Sequence, residues 1–256
     1  MEENTQETKD NNSLENTAPI TNTNPQNNSQ IAGAIIVAGI IIAGAIMLKG
    51  SSAPTTPGTK ADANIQPTAL EARPIGADDH IVGNPKAKIV ILEYSDLECP
   101  FCKNFHTTMK QVLSANSDVA WVYRHYPIPS LHPDAFKKAE ATECAWEQGG
   151  NEAFWTYADK LFEVKYPLTE LANVAQTLGL NVNTFNACLS SGKYAAKVQA
   201  DIEDGSKMDV NGTPSSFVIM KGKVVPFITK DGKTHDNIPG AQPYDIIMEN
   251  ITRILK

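Results

Sequence analysis

A chain of 256 residues, 41% of them hydrophobic and 20% charged, is long enough to bury a substantial core. Its formal net charge of −7 and the lack of a basic stripe argue against nucleic acid as a partner. Residues 1–30 are rich in Asn, Thr, Gln and Glu and nearly free of large apolar side chains, so they cannot bury enough surface to offset ordering and read as a disordered tail.

Ile31 to Leu48 is apolar or glycine throughout and carries no charge. At about 1.5 Å per residue it comes close to spanning a hydrocarbon core of about 30 Å, which predicts one transmembrane helix. Small residues at Ser51-Ser52-Ala53 leave a cleaved signal peptide as the alternative; the run is longer than a usual signal core and follows a long acidic tail, which favours an uncleaved anchor. Lys49 and Lys60 follow the segment and only Lys9 precedes it, so a count of positive charge places the following domain inside. The cysteines argue for an oxidising compartment instead. Chemistry outweighs a difference of one or two lysines, and the expected location is the cell membrane, with the domain extracytoplasmic or periplasmic. Residues 49–75, rich in Pro, Ser, Thr and Ala, read as a flexible linker, and 76–256 as one domain.

Within that domain Ile89, Val90, Ile91 and Leu92 form an unbroken apolar run, as in a strand buried on both faces. Cys99-Pro100-Phe101-Cys102 follows, and then Cys102, Phe105, Met109, Val112 and Leu113 recur at helical spacing. Asp118 to Tyr126 predicts a second strand. Four helical stretches follow, Asp134–Gln148, Asn151–Phe162, Thr169–Leu178 and Val182–Asp204, too many for a simple α/β core and therefore a helical insertion over about 132–204. Thr213-Pro214 precedes a hairpin of Ser215–Met220 and Lys223–Ile228 turned at Lys221-Gly222. Tyr244–Leu255 closes the domain as an amphipathic helix with Ile247, Ile251, Ile254 and Leu255 inward.

The cysteine pair sits at a strand-to-helix junction, where unpaired N–H groups and the helix dipole stabilise a thiolate. Cys99 should ionise well below the roughly 8.5 of a free cysteine, and Cys102 lies within bonding reach of it. Half of a zinc site is the alternative, but Cys144 and Cys188 are isolated and His106 leaves a fourth ligand missing. Cys144 and Cys188 fall on predicted helices. A disulfide between them would close a loop of about 45 residues, worth about 4 kcal/mol by chain entropy, the alternative being two buried thiols. Glu93, an acid in an apolar strand six residues before Cys99, would tend to hold a proton if buried, which makes it a candidate proton relay for Cys102; the alternative is a strand end open to water. Asp96 and Glu98 read as loop acids whose charges, if they lie near Cys99, would partly offset the helix effect on it, and His106 as a surface or packing residue.

The segment Glu93-Tyr94-Ser95-Asp96-Leu97-Glu98-Cys99-Pro100-Phe101-Cys102-Lys103-Asn104-Phe105-His106 resembles the active-site segment of the DsbA-like branch of the thioredoxin superfamily. Val210-Asn211-Gly212-Thr213-Pro214-Ser215-Ser216-Phe217 resembles the loop that carries that superfamily's cis-proline. The likeness runs from about Gly76 to Lys256. It implies a thioredoxin-like α/β fold with a helical insertion, a cis Pro214, a Thr213 backbone that pairs with substrate, and an acid at the place of Glu93. It implies thiol–disulfide exchange with cysteine-bearing client proteins, without metal or cofactor, Cys99 being the nucleophile and Cys102 the resolving thiol. A membrane redox partner would reoxidise the pair. Phe101 offers no side-chain donor to a Cys99 thiolate, so the expected couple is less oxidising than in relatives with histidine there. Oxidase is the favoured direction, with reductase and isomerase open; an isomerase would need self-association, for which only Gly33, Gly39 and Gly44 of the anchor are available. A thiolate metal-delivery module and a binding protein that keeps the groove are the readings from other classes.

Overall fold

The computed structural model describes residues 71–84 and 86–256. The tail, the apolar segment Ile31–Leu48 and most of the linker lie outside them. Among the described residues no helix is long and apolar enough to cross a membrane.

The chain enters through β1 (His80–Gly83) and β2 (Ile89–Ser95), crosses α1 (Pro100–Ala115) and returns in β3 (Val119–His125). β2 and β3 are parallel, as a helical crossover demands, and β1 pairs antiparallel with β3. α2 (Ala135–Glu163), α3 (Leu171–Thr177), α4 (Val182–Ser191) and α5 (Ala195–Lys207) then intervene before β4 (Ser215–Met220), which pairs antiparallel with β2. β5 (Lys223–Val225) continues the hairpin, while β6 (Phe227–Ile228) pairs with β7 (Thr234–His235); β8 (Ile238–Pro239) pairs with β4, and α6 (Tyr244–Leu255) ends the domain. Among the described residues the main sheet thus has six strands, in the order β1-β3-β2-β4-β5 with β8 beside β4.

Two faces of this sheet are sealed separately. Ile89, Ile91, Trp121 and Val218 pack under Phe105, Met109 and Val112 of α1 and Ile247 and Ile251 of α6. Leu92, Tyr94, Val122 and Phe217 pack with Met208 and Val210 on the other side. The helical insertion has its own core, in which Phe154, Tyr157 and Phe185 surround a Cys144–Cys188 disulfide that ties α2 to α4.

Several expectations are corrected. The strand of His80–Gly83 was not anticipated, because its sequence shows no apolar alternation. α2 runs through the two expected helices with one break in helical geometry, Gly150 at φ 63°. The hairpin strand expected over Lys223–Ile228 is split at Pro226, which has no N–H to give a ladder, so Phe227 and Ile228 pair elsewhere. In α6 the fully buried residues are Ile246, Ile247, Asn250 and Ile251, with Ile254 and Leu255 only half-buried; Asn250 earns its place by bonding both backbone groups of Ile228. The linker's last residues are docked, since Arg73 donates through its backbone to Asp204 and through its guanidinium to Asp201.

Candidate active site

Cys99 is the N-cap of α1 and Pro100 opens the helix, a position where the missing N–H costs nothing. Its thiol donates to the Thr213 carbonyl at 3.3 Å. The Cys99 pKa is drawn down to about 6: the hydrogen bond from the Cys102 thiol is the largest cause, opposed by burial and assisted by the Cys102 N–H, the Thr213 hydroxyl and the Phe101 N–H. Phe101 therefore contributes through its backbone, while its ring stands 63% exposed beside the thiol.

Cys102 is fully buried one turn further in. Burial first, then the bond it donates to Cys99, then the neighbouring Glu93 carboxyl hold it well above the usual thiol range. Its sulfur accepts the Asp96 N–H at 3.4 Å. Both cysteines are free thiols, so the geometry is that of the reduced pair.

Glu93 does not reach water. It is fully buried, Oε2 accepts the Trp121 indole N–H at 2.9 Å, and Oε1 has no hydrogen-bond partner among the described residues. Burial raises its pKa to about 8, offset only in part by the Ser95 hydroxyl and the Trp121 indole. The Thr213–Pro214 peptide bond is cis, Pro214 is buried, and Thr213 is partly exposed beside Cys99. A nucleophile poised to ionise, a resolving thiol kept protonated and a half-exposed backbone beside them can together form and resolve a mixed disulfide.

The loop acids are not open charges near the thiol. The Asp96 carboxylate is buried and accepts from the Glu98 and Ile128 N–H groups and from His132 at 2.9 Å. Glu98 is met by the buried Lys138 ammonium at 2.9 Å and by the Asp134 N–H. Each is taken up by its own donors, which braces the loop before Cys99. His106, one turn along α1 from Cys102, is buried among Trp121, Trp155 and Phe162 and bonds Asp159 at 2.6 Å, a packing role.

Ser95, Tyr123 and Trp121 join this site without having been singled out in the sequence. The available signal was strand alternation, which puts Glu93 and Ser95 on one face and Trp121 and Tyr123 beside them. Cys99 and Cys102 belong to no group of three or more metal-ligating side chains among the described residues. His80, His125 and Glu143 form such a group, with ligand atoms within 4.8 Å of one another. However, Glu143 Oε1 already meets His80, His125 and the Lys197 ammonium, at 2.7, 3.0 and 3.0 Å. With an ammonium bound to the carboxylate that would have to hold the ion, this is an internal ion cluster.

A parallel β2–α1–β3 unit with a dithiol at its helix tip and a cis-proline loop alongside defines the class of thioredoxin-like thiol:disulfide oxidoreductases. Residues 77–236 match the sequence family described as Thioredoxin. The chain belongs to that thioredoxin family. Among solved structures it resembles BdbD from Bacillus subtilis, with a TM-score of 0.57 and 24% identity over 73% of this chain and 98% of that one. It also resembles Pseudomonas aeruginosa DsbA2, with a TM-score of 0.56 and 24% identity over 71% and 97%. These likenesses establish the DsbA-like fold. Among curated proteins, the chain is 34% identical over 148 residues to Na(+)/H(+) antiporter NhaA 3 of Salinispora tropica, and 35% identical over 160 residues to Na(+)/H(+) antiporter NhaA 1 of Mycolicibacterium vanbaalenii. Those matches take 57% and 60% of this chain but only 22% and 25% of the relatives' own length.

Proposed function

We propose that this oxidoreductase works outside the cytoplasm on a membrane anchor and introduces disulfides into client proteins through Cys99 and Cys102. The observation that carries the reading is the asymmetry of the pair: Cys99 ionises near pH 6 beside the Thr213 backbone, while Cys102 is held protonated. In the oxidised enzyme a client thiolate attacks the Cys99 sulfur and expels Cys102, which takes a proton from the buried Glu93 carboxyl. A second client thiol then attacks the mixed disulfide, Cys99 leaves as its stabilised thiolate, and the client departs with a disulfide. Thr213 supplies backbone groups to the client strand and cis-Pro214 fixes that loop against Cys99. A membrane redox partner restores the Cys99–Cys102 disulfide.

Anchorage is supported by the uncharged run Ile31–Leu48, and the oxidising side of the membrane by the Cys144–Cys188 disulfide. Each unit of Cys99 pKa lowering makes the couple more oxidising by about 30 mV. A Cys99 thiolate favoured by the Cys102 thiol and the Thr213 loop, but by no side chain at Phe101, points to a couple of moderate oxidising power. A moderate couple of this kind keeps reductase as the second reading, and the measured potential decides between them.

Trapping tests the whole reading. A Cys102→Ala variant, expressed with its full N-terminal region, should accumulate mixed disulfides through Cys99 with extracytoplasmic proteins. Clients from the cytoplasm would overturn the location, and no adducts from a variant whose Cys99 still alkylates would overturn client exchange.

A further inference from the structure

Beneath Cys102 the sheet presents a group of hydroxyl and carboxyl oxygens left without hydrogen-bond partners among the described residues. Glu93 and Ser95 alternate onto the same face of β2, and Glu93 is the register partner of Tyr123 on β3 and of Ser216 on β4. All four are buried to within 1% of full exclusion. Glu93 Oε1, Ser95 Oγ, Tyr123 Oη and Ser216 Oγ each lack a hydrogen-bond partner among the described residues. Such clustering is unusual, because a buried polar atom left unpaired costs about 1–3 kcal/mol. Ser95 is central to it: it shares its face of β2 with Glu93, the N–H of the next residue, Asp96, meets the Cys102 sulfur at 3.4 Å, and its own hydroxyl has no hydrogen-bond partner among the described residues. A hydroxyl free to rotate can accept from one neighbour and donate to another.

We infer that Ser95 is the relay through which the proton passes between the Cys102 sulfur and the Glu93 carboxyl, with Tyr123 closing the group from the neighbouring strand. The inference rests on the assignment of Glu93 as the acid that serves Cys102. When Cys102 attacks a mixed disulfide on Cys99, the Cys102–Cys99 sulfur bond forms and the Cys99–client bond breaks. The client leaves as a thiolate carrying the electron pair; Ser95 Oγ takes the Cys102 proton as its own proton passes to the Glu93 carboxylate, the form whose share grows as pH approaches about 8. The opposite direction reverses each transfer, so no further donor or oxidant enters.

Reduced protein mixed with 5,5′-dithiobis(2-nitrobenzoate) isolates this step. Cys99 releases one coloured thiolate as the mixed disulfide forms, and Cys102 releases the second when it attacks. The second thiolate leaves without needing a proton, so the rate of that phase reports the fate of the Cys102 proton. Ser95→Ala should slow the second phase about tenfold or more at pH 7 and leave the first within about twofold. Ser95→Thr, which keeps the hydroxyl, should restore it, and Ser216→Ala should leave both phases unchanged. In wild type, the second phase in H2O/D2O mixtures should show two protons in flight, and the Glu93→Gln background should cancel the Ser95→Ala effect, as two members of one path require. Normal second-phase rates in Ser95→Ala with slow ones in Glu93→Gln would overturn the relay alone. A normal rate in Glu93→Gln would overturn the assignment of the acid on which it rests.

Discussion

Adjacent residues on the same two strands carry buried polar groups to opposite faces of the sheet, and the two faces treat them in opposite ways. On one face Arg124 is fully buried but bonds both Asp79 oxygens, Asp204 and the Arg73 carbonyl, while Tyr94 donates to Asp204. Burial alone would raise the Asp79 carboxyl, and the Arg124 bonds overcome it and leave it below its ordinary value. On the other face Glu93 has one indole N–H and an orphaned oxygen, and burial prevails. Equal depth therefore gives a paired charge on one face and a protonated acid on the other. Partner count decides between a fastening and an acid that keeps its proton.

Breaking the fastening should have the largest effect. Arg124→Met leaves Asp204 buried without its cation and Asp79 with only the more distant Arg73 guanidinium at 3.4 Å, and should cost about 3–5 kcal/mol in urea unfolding at pH 7. The exchange rate per folded molecule should stay near wild type, since this network does not touch the thiols. In wild type the Asp79 contribution is fully present above about pH 4, the ordinary carboxyl value, and is lost as pH falls through its lower folded value.

The buried acid should show the opposite sign. In the reduced protein the folded state keeps a proton on Glu93 that the unfolded chain has released, so between about pH 4.5 and about 8 Glu93 lowers stability as pH rises. Glu93→Gln should therefore stabilise the reduced protein by up to a few kcal/mol at pH 8 and by nothing below pH 4.5. Unfolding series at pH 4, 6 and 8 check this, and a gain that does not vary with pH would contradict the buried acid.

The smallest effect concerns the rim. Phe101→His adds a side-chain N–H donor where the ring now offers none, and should make the couple more oxidising by about 30 mV for each unit it lowers the Cys99 pKa. Equilibration with glutathione measures that shift, and iodoacetamide alkylation should give a Cys99 profile centred near pH 6 in wild type and lower in the variant.

Much of the site was legible because its chemistry is local. Two cysteines three residues apart after an apolar strand place a thiol at a helix tip, and the Val210–Phe217 segment marked a proline loop even though nothing in the sequence says that Thr213 meets the Cys99 sulfur. The loop acids Asp96 and Glu98 were readable as acids but not as paired ones, since His132 and Lys138 lie more than thirty residues further along.

What the amino-acid order determined alone was the redox pair, the acid before it, and the alternation of short apolar strands with a helical stretch, because these depend on spacing within a few residues. Only the tertiary structure decided how each buried group is paired. It brought the Trp121 indole to Glu93 Oε2 and left Oε1 without a partner among the described residues, set Ser95 and Tyr123 beside Glu93, gave Arg124 its two acids, and closed Cys144 on Cys188. Hydrogen-bond partners and desolvation set these ionisation states, and both depend on chain segments that meet only in the folded molecule.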